Sequence, residues 1–121
     1  MDVIGTLVAE SLAPTAVIEI GLTLRRLHRI TVQDPADGQP AIWTLIDFTC
    51  PADDVDPFAE QLAAGLAAGP WYLDMATDTT KYVIFAGKTY AFPRGDAAGN
   101  QEAVEYARSV GVPEAQLDWP V

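Results

Sequence analysis

Residues 53–69, DDVDPFAEQLAAGLAAG, limit the possible folds more than any other stretch of this chain. Phe58, Leu62 and Leu66 recur at helical spacing and form one apolar face. Asp56 is a suitable N-cap, and Pro57 suits the first helical position. Gly69 fits a left-handed close, and Pro70 prevents continuation. An amphipathic helix therefore spans the middle of the chain, and the flanking segments must supply the surface it packs on.

Both flanks read as strands. In AIWTLIDFTC (41–50), Ile42, Thr44, Ile46 and Phe48 share one face, and Trp43, Leu45 and Asp47 the other. Pro51 ends the run. In VIEIGLTLRRLHRITV (17–32), Ile18, Ile20, Leu22, Leu24, Ile30 and Val32 alternate, with Arg26 and His28 interrupting that face. A helix over 20–31 through Ile20, Leu24 and Leu27 competes, but the β-branched content favours a strand. In 3–12, Ile4, Leu7, Val8 and Leu12 fit a helix, whereas Pro14 and the strand that follows suit a hairpin; the strand is preferred. QDPADGQPA (33–41) reads as a surface loop.

Beyond the helix, 71–77 and 81–93 read as strands, the second folding into a hairpin at Gly87-Lys88 compatible with a type II′ turn. A second helix is expected over 96–111, with Val104, Ala107 and Val110 on one side, Gly111 at its end and Pro113 beyond. Leu117 and Trp119 are expected to pack back onto the body. The order predicts a single α+β domain over 1–121. The expected form is a two-layer sandwich, a mostly antiparallel sheet with two amphipathic helices, ferredoxin-like or a rearrangement of that plan.

Charge narrows the function. Seventeen acidic residues against seven basic ones give a net charge of −10. Such a surface repels nucleic acid and anionic membranes, and favours solubility or a basic partner. Cys50 is the single cysteine, which excludes an intramolecular disulfide and fits a reducing cytoplasm. The opening MDVIGTLVAE has no basic n-region, and no apolar run reaches membrane-spanning length. The expected location is the cytoplasm.

No residue set makes a convincing catalytic group. His28 is the sole histidine, and Ser11 and Ser109 lie outside any G-x-S-x-G context. Cys50 and His28 are too few for a structural zinc site. Asp53 and Asp54 are expected to raise the Cys50 thiol pKa and dull it as a nucleophile. The acids of DDVD (53–56) suit a helix start better than a cation loop. Neither G-x-G-x-x-G nor a P-loop occurs, so no cofactor is expected.

Three stretches keep a functional reading. WYLDMATDTTKY (71–82) sets Tyr72 and Asp74 on one strand face, with Asp78 and Lys81 beyond, which suits a small ligand or a partner's side chain, though core packing plus a solvated face explains it equally well. In RRLHR (25–29), strand geometry sends Arg26 and His28 to one face and Arg25 and Arg29 to the other. Such a cluster could hold a carboxylate or phosphate, with Tyr72 or Asp74 nearby, unless local acids such as Glu19 or Asp47 pair with it. PRGD (93–96) contains an adhesion-type tripeptide, but Pro93 ends a strand, Gly95 permits a sharp turn and Asp96 caps a helix. Arg94 is expected to pair with an acid.

PRGDAAGNQEAVEYARSVGVPEAQLDW, with WTLIDF and GPWYLDM upstream, resembles a group of small uncharacterised bacterial proteins, of actinobacterial type in composition. The resemblance implies a shared fold and transfers no functional residues. The resulting expectation is a non-enzymatic acidic protein that binds a partner protein or another copy of itself. One alternative is a small enzyme or binder holding an anionic molecule through Arg26 and His28. The other is an inhibitor of a basic protein by charge mimicry.

Overall fold

The computed structural model describes residues 1–120. Six strands form one sheet: β1 (Asp2–Val8), β2 (Thr23–Thr31), β3 (Ile42–Pro51), β4 (Leu73–Ala76), β5 (Thr80–Phe85) and β6 (Lys88–Pro93). Helix α1 (Val55–Gly65) joins β3 to β4, and α2 (Ala97–Ser109) follows β6. Every pairing is antiparallel, in the order β2-β3-β1-β4-β5-β6. The first strand of the chain is thus internal to the sheet, held between β3 and β4.

Side-chain alternation divides the sheet into two faces, each with its own core. On one face, Phe58 and Leu62 of α1 bury against Val3, Phe48, Met75 and Ile84. Phe48 and Phe58 meet edge to face at 5.3 Å between ring centroids. On the other face, Ala103 and Ala107 of α2 bury against Val83, Phe85 and Phe92, with Trp119 folded back beside them. Val83 and Ile84 are neighbours in one strand and serve opposite cores, so the two helices lie over opposite faces. The structure is α+β with an antiparallel sheet and two helices, as expected. Its helices do not share one layer, and neither the strand order nor the element order is that of a ferredoxin-like plait.

Close packing explains two of the glycines. A Cβ on Gly5 would stand 2.7 Å from Met75 Cβ and 2.8 Å from Phe48 Cζ, so only glycine lets β4 and the Phe48 ring approach β1 there. On Gly99 it would stand 2.6 Å from Phe92 Cβ, where α2 rests on β6.

Local departures from expectation have tertiary causes. Helix α1 starts at Val55 after Asp54, whose side chain makes no capping bond; Asp56 and Pro57 fall inside the first turn, where N–H groups lack helical partners anyway. The helix stops at Gly65, short of Gly69, because Gly65 C=O accepts from Ala13 N and Leu66 pairs with Leu12. Residues 17–22 are not in a strand; Ile18, Ile20 and Leu22 pack against the α1 core instead. The β5–β6 turn is Ala86-Gly87, one residue earlier than expected, with positive φ at its second position rather than its first.

Candidate functional site

Helix α2 and the chain's tail cover one face of β5 and β6 and leave the same face of β1, β3 and β2 open. A cavity of about 860 Å³ lies at this boundary, with Pro120 at its edge. Strand register dictates its floor. Arg26 of β2 stands opposite Asp47 of β3, and Asp47 opposite Thr6 of β1. Continuing the β1–β4 register brings Thr6 alongside Asp74. One step along the strands, Ile4 stands opposite Ala76, and Ala76 opposite Lys81. All of these side chains share one face by alternation.

Two ion pairs organise the floor. Lys81 Nζ donates to Asp74 Oδ2 at 2.6 Å, with Lys81 only 2% exposed. Arg26 Nε lies 3.3 Å from Asp47 Oδ2, while Thr6 Oγ1 donates to Asp47 Oδ1 at 2.7 Å. Each carboxylate therefore has its own cation, with the Thr6 hydroxyl between them. At the rim, Arg94 donates to the Thr77 carbonyl at 3.1 Å rather than pairing with an acid, and Asp78 and Asp2 are close by. A β-bulge between Leu24 and Arg26 breaks the alternation. It leaves Arg25 lining the cavity with Arg26, where strict alternation would have sent it to the far face.

Of the four residues expected from sequence, Arg26 and Asp74 reach this cavity. His28 does not line it. It shares the Arg26 face of β2, accepts from Arg26 Nε at Nδ1 (3.1 Å) and lies 4.0 Å from Asp47 Oδ2. Arg26 and His28 therefore touch each other but do not line this cavity together. Tyr72 is enclosed between Phe85 and Trp119, and its hydroxyl donates to the Gln116 carbonyl. Burial, then the charges of Asp74 and Asp118, holds its hydroxyl pKa well above the ordinary tyrosine value. Tyr72 thus anchors the tail and does not line the cavity.

Lys81, Thr6 and Arg94 were not among the ligand-binding residues expected from the sequence. One signal was readable: Lys81 alternates with Val83 and Phe85 on a face that is otherwise core. The Arg26–Asp47 pair matches the local neutralisation weighed for RRLHR. Cys50 is buried, and burial, then Asp54 and Asp2, pushes its thiol pKa up, as an inert core thiol requires. Asp96 accepts from Ala98 N and Gly99 N, and Gly95 takes a positive φ of 84°, so PRGD is a strand-to-helix corner. Among the described residues, no group of three or more His, Cys, Asp or Glu side chains is placed to hold a metal ion. Among the described residues, no helix is long and apolar enough to cross a membrane.

No protein-family model, curated protein or solved structure matches this chain.

Proposed function

We propose that this chain is a non-enzymatic cytoplasmic binding protein that engages a partner protein through the outer edge of β2. The observation that supports it is the contrast between the two sheet edges. β6 is six residues long, begins with Lys88, ends with Pro93 and lies against α2; such features blunt an edge. β2 is nine residues long and contains no proline, and its Leu24 and Leu27 are each 59% exposed. Ile30 of β2 and neighbouring Ile42 are exposed as well. An edge of this kind presents unpaired backbone groups to an added strand, and side chains on alternate faces select its sequence.

Charge identifies the added strand. Arg26 is already paired with Asp47, whereas Arg25 and Arg29 make β2 basic on a chain of net charge −10. Acids opposite these arginines and apolar residues near Leu24 and Leu27 would complement it. A second copy fits less well, because antiparallel pairing of β2 with itself sets the arginines of the two strands side by side.

Hydrogen exchange on the purified complex tests this. Binding should protect the amides of residues 23–31, and Leu27→Asp should abolish the complex while the free protein keeps its melting temperature. Arg29→Glu should weaken binding. Tighter binding by Arg29→Glu would mark a basic partner and the charge-mimic reading instead. A footprint away from β2, or a homodimer in native mass spectrometry, would overturn the proposal.

A further inference from the structure

We propose that the cavity on the open half of the sheet binds a small zwitterion, a molecule with both a carboxylate and an ammonium group, of the amino-acid or short-peptide class. This goes beyond the partner-strand reading and stands or falls separately from it.

The first support is Lys81. Its face of β5 otherwise carries Val83 and Phe85, both core residues, and an apolar side chain there would avoid the cost of desolvating a charge. Instead a lysine lies buried beneath an open cavity. Among the described residues its one hydrogen-bond partner is Asp74 Oδ2, and an ammonium has three N–H donors. Two donors thus remain for a ligand carboxylate, and Asp74 Oδ1 remains for a ligand ammonium.

The second support is the balance of charge. Arg26 and Lys81 are neutralised on the floor by Asp47 and Asp74. Among the described residues, Arg25 and Arg94 at the rim have no carboxylate within salt-bridge distance, and Asp2 and Asp78 have no cation. A simple anion entering here would face the acids uncompensated, and a simple cation the arginines. A zwitterion satisfies both. The volume of about 860 Å³ lies within the usual range for small-molecule sites and leaves room for more than one residue of a peptide.

The probes are alanine, dialanine, N-acetyl-dialanine and dialanine amide, titrated into the 15N-labelled full chain. Alanine or dialanine should produce saturable amide shifts at Thr6, Ala76 and Lys81. Each blocked form, lacking one charge, should bind about tenfold more weakly than dialanine. Lys81→Met should remove the shifts at the ligand-binding amides. Should that variant fail to fold, Arg94→Gln at the exposed rim decides, with an expected loss of about tenfold. If neither alanine nor dialanine gives saturable shifts there, or the blocked forms bind as tightly as dialanine, the proposal is overturned.

Discussion

Lys81 and Asp74 form one ion pair but are unequally exposed. The Lys81 side chain is 3% exposed and that of Asp74 is 29% exposed. Removing the acid leaves a buried ammonium without its anion, whereas removing the lysine leaves a carboxylate that water can reach. Asp74→Asn should therefore cost about 3 kcal/mol and Lys81→Met about 1 kcal/mol or less, read by urea denaturation. Equal losses would mean that burial does not set the energetics of the pair. The pair was hard to read in the sequence because neither residue belongs to a motif. It depends on the β4–β5 register, which places Lys81 one step from Asp74 on the same face. Asp96 and Gly95 were legible for the opposite reason, since a cap and a turn are settled by residues a few positions apart.

At the scale of elements, that cap gives α2 its start. The Asp96 carboxylate takes two N–H groups of the first turn, each at 3.2 Å. Asp96→Ala should lower stability by about 1 kcal/mol, while Asp96→Asn should keep most of it; a thermal melt of both variants checks the cap. Alternation located β3 and β5–β6 because each has one face in a core. It overextended the second strand, because Ile18, Ile20 and Leu22 satisfy strand spacing yet bury by lying across the α1 core. The bulge at Arg25 was equally invisible, since an inserted residue is defined by the partner strand and not by its own sequence. It decides which arginines reach the cavity.

For the molecule as a whole, the helices divide the sheet between them on opposite faces, and the cavity is the area that neither helix nor tail covers. Local spacing carries no information about which face a helix takes, so this layering was not legible. The tail that bounds the cavity also ties stability to pH. Burial raises the Tyr72 hydroxyl pKa. In the unfolded chain a tyrosine loses its proton near pH 10, while the folded chain retains it. The Tyr72 contribution is therefore complete below that pH and declines as pH rises above it. Glu10 acts at the acid end. Its burial favours the protonated form, but hydrogen bonds from the Thr44 N–H and hydroxyl, with the charge of Arg29, outweigh that and lower its pKa. Its contribution is present above the usual carboxylate range and is lost as pH falls through it. Denaturation midpoints across pH should fall at both ends, and Tyr72→Phe should flatten the alkaline limb.

The central position of β1 has a consequence for synthesis. Of the six strands the ribosome makes β1, one of the two central ones, first; β3 can join it early, and its other neighbour does not exist until Leu73–Ala76 have been translated. Until then the nascent chain carries β1 with one side open, beside a core that still lacks Leu73, Met75 and Ile84. That interval makes the unfinished chain adhesive, and a ribosome stalled before β4 would release a product prone to aggregate.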